Sequence, residues 1–222
     1  MNKPTAWSYS RIKAFETCPK QFYHQTILKE FPYVETEAMR YGTEFHKAAE
    51  DFVRDGTKVA QKFEFTQPVL DDLAAREGVK HLELKMGLTI DLKPCGFFAK
   101  DVWFRGIVDY LSIDGSKGRV VDYKTGKSAQ YADPDQLELM ALTVFKHFPE
   151  VNSVRGALLF VIANKLIPGE YDRSDESRWT KWIARVNRLQ DAVDSGVWNP
   201  KPSGLCRRHC PVVECAHNGA NS

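Results

Sequence analysis

The chain has 222 residues, of which 43% are hydrophobic and 27% charged, as in soluble globular proteins with a sizeable core. Its longest wholly apolar run, residues 157–163, is far shorter than the ~20 residues that cross a bilayer. The start of the sequence lacks the apolar core of a signal peptide, so we expect a cytoplasmic protein. The net charge of +2 neither requires nor excludes a nucleic-acid partner.

The first half of the sequence predicts two helices and a strand. Ser8 is a plausible N-cap for a short helix that stops at Cys18-Pro19, and a second helix over residues 41–54 should end at Gly56. Apolar and polar residues then alternate strictly over residues 81–92, a pattern that predicts a strand.

The second half predicts a hairpin, two helices and a buried strand. Turn residues 114–118 separate two strand-like stretches, residues 102–113 and 119–124. A helix opens at Asp133-Pro134, a continuous apolar run predicts a buried strand at 155–163, and a long helix covers residues 175–195. Strands flanked by helices indicate a mixed α/β fold.

No repeat or long linker divides the sequence, so we predict one domain over residues 1–222. Within it we distinguish N-terminal helices (1–30), a core (40–165), and a C-terminal helix with a cysteine cluster (174–222).

Three chemically active side chains fall on the predicted hairpin. Asp122 and Lys124 are two residues apart on one strand and share a face, and Asp109 joins them if it lies opposite residue 122 or residue 124. Paired carboxylates suit Mg²⁺ or Mn²⁺, and a lysine beside them can stabilise negative charge on a phosphate. On spacing alone, a solvent-facing hairpin with an ordinary Asp–Lys pair is the commoner interpretation.

The wider setting resembles the PD-(D/E)XK nuclease superfamily, and specifically its RecB-like and Cas4-like exonuclease branch. Five segments match in order over nearly the whole chain: 8–23, 42–46, 106–109, 121–126 and 136–140. The resemblance implies a restriction-endonuclease-like core, with a central mixed sheet flanked by helices and a cysteine-rich C-terminal extension.

The same resemblance implies a role for each matching residue. His46, Asp109, Asp122 and the Tyr123 carbonyl would bind Mg²⁺ or Mn²⁺; Asp109, Asp122, Lys124 and Gln136 would be catalytic, with Gln136 contacting the lysine or the DNA backbone. Taken without the family, His46 is more often a core histidine, with Glu50 as a partner. Glu83 is a candidate for supporting the site, and a solvated strand face is its simpler interpretation.

The sequence also departs from the branch. Met140 stands where relatives usually have a tyrosine, four residues after the glutamine, so a DNA contact by that tyrosine is not expected here. Val108 replaces the leading proline before Asp109, a change that the RecB-like branch tolerates.

Four of the five cysteines form a second pattern. Cys206, Cys210 and Cys215 lie within ten residues, and three thiols need a fourth ligand to hold zinc or an iron–sulfur cluster. The Cas4-like resemblance supplies Cys18 as that ligand and implies a [4Fe–4S] cluster. A zinc site that uses His209 or His217, or free thiols, are the alternatives; Cys95 is expected to be structural.

The sequence thus predicts a metal-dependent DNA exonuclease that acts on single strands or DNA ends in recombination, repair or phage DNA processing. A basic stripe on the last long helix, formed by Arg178, Lys181, Arg185 and Arg188, could neutralise DNA phosphates or be a solvated helix face. The alternatives are a structure-selective endonuclease or nickase, and a non-catalytic DNA-binding scaffold. A helicase or recombination protein would be a separate partner, in a bacterial cell or a phage-infected host.

Overall fold

A computed structural model describes residues 6–32, 34–130 and 132–221. The chain forms two compact units. The first, here the terminal unit, comprises the described residues of Met1–Val34 and Arg178–Ser222, and the second, the central unit, comprises Glu35–Ser177. The two patterns of candidate ligands therefore separate: the carboxylates lie in the central unit and the four clustered cysteines in the terminal unit.

The central unit is built on a six-stranded mixed sheet with the order β2-β1-β3-β4-β5-β6. The strands are β1 (Val79–Leu88), β2 (Pro94–Cys95), β3 (Phe104–Asp114), β4 (Lys117–Lys124), β5 (Ser153–Phe160) and β6 (Lys165–Asp172). Strands β4 and β5 run parallel, and the other neighbours run antiparallel. The mixed α/β fold predicted from the sequence is confirmed.

Helices cover both faces of this sheet. Helix α3 (Glu37–Asp55) and helix α4 (Gln67–Ala75), which follows a 3₁₀ helix at Gln61–Thr66, pack on one cluster of buried residues that includes Tyr110 and Tyr123. Helix α5 (Asp135–His147) packs on a second cluster that includes Leu111 and Val120. Tyr110 and Leu111 are adjacent on β3, and adjacent strand residues point to opposite sides of a sheet. The two helix layers therefore lie on opposite faces.

Several element boundaries differ from the predicted ones. Strand β1 ends at Leu88 rather than Leu92, because the chain turns at residues 89–92 and Leu92 takes a left-handed φ of 58°. Helix α3 begins four residues before the predicted start, at an N-cap on Thr36 whose side chain accepts a hydrogen bond from the Met39 N–H. Helix α4 and strand β6 were not predicted.

The β3–β4 hairpin adopts the first of the two predicted registers. Its paired residues run from Asp114 opposite Lys117 to Tyr110 opposite Val121. The turn needs only Gly115 and Ser116, and Gly115 supplies its left-handed φ of 56°. Continued by one residue, this register sets Asp109 against Asp122.

The terminal unit contains helices α1 (Tyr9–Thr17), α2 (Pro19–Phe22) and α6 (Trp179–Ser195) and a π-helical turn at Tyr23–Ile27. Ser8 caps α1 as predicted, by accepting a hydrogen bond from the Arg11 N–H, and Gly196 ends α6 with a left-handed φ of 69°. Trp7 stacks on Trp182 in the core of this unit. Among the described residues, none of the helices is long and apolar enough to span a membrane.

Candidate active site

His46 is carried by helix α3 at the edge of its sheet-facing side. Phe45 and Ala49 on the same helix are fully buried, and the His46 ring meets the Tyr123 ring edge-on at 5.7 Å between centroids. Gly42, one turn earlier, permits this close approach: a Cβ there would lie 3.1 Å from Thr125 Oγ1, in the segment that follows β4. The helix can thus lie against the end of the hairpin and present His46 to it.

Glu83 and Asp109 lie opposite each other on neighbouring strands. Leu82 pairs with Tyr110 and Leu84 with Val108, so the register leaves Glu83 against Asp109. Glu83 has a φ of 48°, in the left-handed region that a residue with a side chain rarely adopts within a strand. Such a conformation costs roughly 1–3 kcal/mol and persists only where the surroundings impose it, often at functional sites.

The β3–β4 pairing opens at the same level. The paired residues of β3 and β4 end at Tyr110 and Val121. Beyond them, the Tyr123 N–H donates a 2.7 Å hydrogen bond to Oδ2 of the Asp109 side chain instead of to a main-chain carbonyl of β3. Asp109 is only 7% exposed, so this bond fixes an otherwise costly buried carboxylate. Its Oδ1 is left facing His46.

Asp122 forms a second group with Lys124 and Gln136. Lys124 Nζ lies 2.6 Å from Asp122 Oδ2, and Gln136 Nε2, from the first turn of α5, donates a 2.7 Å hydrogen bond to Oδ1. Burial, and then the charge of Asp109, raises the pKa of Asp122 to about 6, although the contact with Lys124 partly offsets this. In the structure Gln136 thus contacts Asp122, the partner of Lys124, and its contact with the DNA backbone stays a prediction.

His46, Glu83 and Asp109 form the candidate metal group. Nδ1 of His46 lies 3.4 Å from Asp109 Oδ1 and 3.5 Å from Glu83 Oε1, and one ligand atom from each residue falls within 4.8 Å of the others. Burial alone would lower the pKa of His46, but its contacts with both carboxylates raise it to about 10. The two carboxylates thus favour a positive charge at this position, and a bound cation would also supply one.

This set of donors fits a hard divalent cation. Two carboxylates and one imidazole nitrogen provide mostly oxygen ligands and a net negative charge, as Mg²⁺ and Mn²⁺ prefer. The cleft beside the group is open and includes Thr43, Lys47 and Glu50 of α3, so a phosphate could reach it.

The metal group differs in membership from the predicted one. His46 and Asp109 belong to it, but Glu83 takes the place expected for Asp122, which is tied to Lys124 and Gln136. Tyr123 donates its N–H to Asp109 and thereby orients it, and the binding of the ion by the Tyr123 carbonyl stays a prediction. Glu50 bonds Arg54 and Lys47 rather than His46.

From the sequence, Glu83 was only a candidate for supporting the site, and its place in the group with His46 and Asp109 was not predicted. Its polar position on an alternating strand is also compatible with plain solvent exposure. Only the pairing of β1 with β3 sets it opposite Asp109. That pairing depends on contacts between residues far apart in sequence, and no local pattern reports it.

The four clustered cysteines line one cavity in the terminal unit. Cys18 stands between α1 and α2, and Cys206 lies in a 3₁₀ helix at Gly204–Arg207. Two main-chain N–H groups point at sulfur: Lys201 donates to Cys18 Sγ and Ser203 to Cys206 Sγ, both at 3.4 Å. The Asn218 side-chain amide donates hydrogen bonds to the carbonyls of Cys210 and Val212, and so holds the segment between Cys210 and Cys215 in place.

The basic residues of α6 do not form one solvated stripe. Arg185 is only 8% exposed, bonds Glu16 through Nε and Nη2, and lies over the Trp182 ring at 4.3 Å. Arg188 is largely exposed and also reaches Glu16, at 3.1 Å. Arg185 therefore serves packing within the terminal unit, whereas Lys181 and Arg188 reach solvent.

Comparison with known proteins identifies the family. Residues 6–215 match the family model of the PD-(D/E)XK nuclease superfamily. The chain belongs to this superfamily. No curated protein matches the sequence.

Two solved structures resemble the fold at low sequence identity. The crystal structure of SSO0001 has a TM-score of 0.52 and 14% identity, covering 97% of this chain and 87% of that one. An exonuclease candidate from Eubacterium rectale has a TM-score of 0.51 and 14% identity, with 96% and 91% covered. At this identity the likeness establishes a common fold.

Proposed function

We propose that the protein is a metal-dependent DNA exonuclease of the RecB-like and Cas4-like branch, which hydrolyses phosphodiester bonds on single strands or DNA ends. The observation that carries the proposal is the convergence of His46, Glu83 and Asp109 beside the Asp122–Lys124 pair. A scaffold that only binds DNA has no need to bury two carboxylates together, since each costs desolvation energy.

The catalytic ion would be Mg²⁺ or Mn²⁺, held by His46, Glu83 and Asp109, with Asp122 completing the acidic surroundings. When bound, such an ion lowers the pKa of a coordinated water and neutralises charge on the scissile phosphate. The residues themselves are pre-positioned: the Tyr123 N–H orients Asp109, and Gln136 orients Asp122.

Lys124 would act on the phosphate. Its ammonium lies 2.6 Å from Asp122, and its side chain is a third exposed. The ammonium is therefore pre-organised and still accessible to a substrate. A fixed positive charge there stabilises the negative charge that develops on the phosphoryl oxygens during displacement by water.

The cysteine cavity would hold a [4Fe–4S] cluster. A single zinc ion draws its thiolates to about 3.8 Å from one another, given Zn–S bonds of about 2.3 Å. Within the described residues, no three of the cysteine sulfurs lie within 4.8 Å of one another. A cluster, in which each thiolate binds a different iron, accepts wider spacing, and N–H groups that point at sulfur favour thiolates.

The proposed setting is recombination, repair or phage DNA processing in the cytoplasm of a bacterial cell or a phage-infected host. Arg178, Lys181 and Arg188 of the terminal unit would contact DNA phosphates. A helicase or recombination protein would be a separate chain.

Cleavage of linear and circular single-stranded DNA, labelled at either end, tests the proposal. With Mg²⁺ or Mn²⁺ we expect loss of linear but not circular substrate, and loss of activity by roughly 10²–10³-fold or more in Lys124→Ala. Lys127→Ala, on the segment just after the hairpin, is the matched control and should retain activity. Cutting of circles would assign an endonuclease or nickase, and absence of cleavage by folded, metal-supplied protein would favour the scaffold.

A further inference from the structure

An exposed aromatic and basic strip lies on the central unit at the end of strands β1 and β3. It consists of Lys85, Phe97, Phe98, Arg105 and Ile107, and we call it the β1–β3 strip. Phe98 is 77% exposed and meets Phe97 edge-on at 5.0 Å. Arg105 lies over both rings, with its Cζ 5.5 and 5.7 Å from their centroids. A large exposed aromatic ring held in this way indicates a binding surface.

The strip continues from the metal group along the sheet. Lys85 pairs with Ile107, and Gly87 pairs with Arg105. Lys85 follows Glu83 by two residues and Ile107 precedes Asp109 by two, so they lie about 7 Å further along their strands, with Arg105 about 13 Å from Asp109. The surface therefore starts beside the candidate catalytic ion and leads away from it.

The two cations of the strip, Lys85 and Arg105, have no acidic partner among the described residues. Neither Lys85 nor Arg105 makes a hydrogen bond or ion pair with any other residue that the structure describes, and Arg105 Nε is buried without an acceptor. Other cations of this unit, by contrast, have acidic partners, as Lys47 and Arg54 have in Asp51. From residue 85 to 105 there are four cations, Lys85, Lys93, Lys100 and Arg105, against two carboxylates, Asp91 and Asp101.

We propose that the β1–β3 strip binds single-stranded DNA: a base stacks on Phe98, and Arg105 and Lys85 contact phosphates of the strand that leads to Asp109. Aromatic faces beside unpaired cations are how proteins bind single strands without reading sequence. A duplex, whose bases are already stacked, could use only the two cations. The inference rests on the proposed nuclease function, because it names the form of DNA that the site receives.

Binding measured without cleavage tests the strip. In EDTA, we expect Phe98→Ala to weaken binding of a fluorescent oligothymidylate roughly five- to 150-fold, the range found when one base-stacking aromatic is removed. Phe65→Ala removes another exposed aromatic of the central unit, 53% exposed, and should leave the affinity unchanged. A strand of the same length with abasic sites should bind Phe98→Ala and wild type equally.

Salt dependence tests the cations. For a single strand, each lost phosphate contact reduces the slope of log K against log salt concentration by about 0.7. Arg105→Gln should reduce the slope by about this amount, Phe98→Ala should not, and Arg119→Gln, an exposed arginine elsewhere on the sheet, should not.

Wild-type affinity in Phe98→Ala, or an equal loss on the abasic strand, would overturn the inference. These results are independent of catalysis, since cleavage is assayed separately with metal. An enzyme that cuts DNA but binds it normally after the Phe98 change would retain the proposed function and lose the strip, whereas a protein that never cuts but shows these binding changes would lose the function.

Discussion

The carboxylate site and the cysteine cavity differ in how the chain places the metal ligands proposed for them. The three carboxylates lie on β1, β3 and β4, His46 lies on α3, and each is held by a hydrogen bond or ion pair within the protein. Of the four cysteines, three follow one another between residues 206 and 215 on a 3₁₀ helix and irregular chain. The first site is therefore organised by the fold, whereas the metal proposed for the second would itself organise the chain around it.

Replacement of a cysteine should have the largest effect on stability. We expect Cys210→Ser to lower the free energy of unfolding of the terminal unit by several kcal/mol, because it removes a ligand whose metal binding is coupled to folding. Cys95→Ser, which alters a cysteine of the central unit, is the matched control. Differential scanning calorimetry of both variants measures their stability, and limited proteolysis shows whether residues 199–221 have become accessible. Equal stability of the two variants would exclude a structural metal.

Removal of divalent metal should have far less effect. His46, Glu83 and Asp109 contact one another without an ion, so EDTA should abolish cleavage and leave the melting temperature of the central unit almost unchanged. Circular dichroism during heating, with and without Mn²⁺, measures this. Unfolding of the central unit by chelation would remove the distinction between the two sites.

The buried ion pair of the terminal unit should have an intermediate effect. Arg185→Gln leaves Glu16 with a weaker partner and should cost about 1–3 kcal/mol. Asn187→Ala, at an exposed position of α6, should cost less than about 0.5 kcal/mol. Urea unfolding of both variants compares them. A larger loss in Asn187→Ala would contradict the assignment of Arg185 to packing.

The stability of the metal-free protein should also depend on pH. The folded protein raises the pKa of His46 to about 10 from its ordinary value of 6.5, so it binds the proton more tightly than the unfolded chain does. The resulting stabilisation is fully present below pH 6.5 and is lost as the pH rises to about 10. Denaturant titrations in EDTA should show this slope, and His46→Gln should remove it.

The sequence predicts those features of the fold that depend on neighbouring residues, and it misses those that depend on contacts between distant ones. Ser8, Gly56 and Gly196 mark helix ends through local chemistry, and all three do so in the structure. The alternation in β1 predicts a strand but not where it ends, because Ile90 and Leu92 continue the pattern into a turn.

The site was predicted only as far as its residues follow local patterns. The hairpin brings Asp109 towards Asp122, and spacing along one strand joins Asp122 to Lys124. The left-handed backbone at Glu83, the bond from Tyr123 to Asp109 and the burial of Arg185 all depend on partners far away in sequence. The first two determine which carboxylates face His46, and all three become visible only in the folded chain.

The central claim is that Asp109, with His46 and Glu83, binds the catalytic ion. Titration of Mn²⁺ followed by electron paramagnetic resonance, run beside cleavage of linear single-stranded DNA, tests it most directly in wild type and Asp109→Asn. We predict that the wild type binds Mn²⁺ and cuts, and that Asp109→Asn stays folded but does neither. Cleavage at the wild-type rate by Asp109→Asn would place the catalytic ion elsewhere and contradict the account.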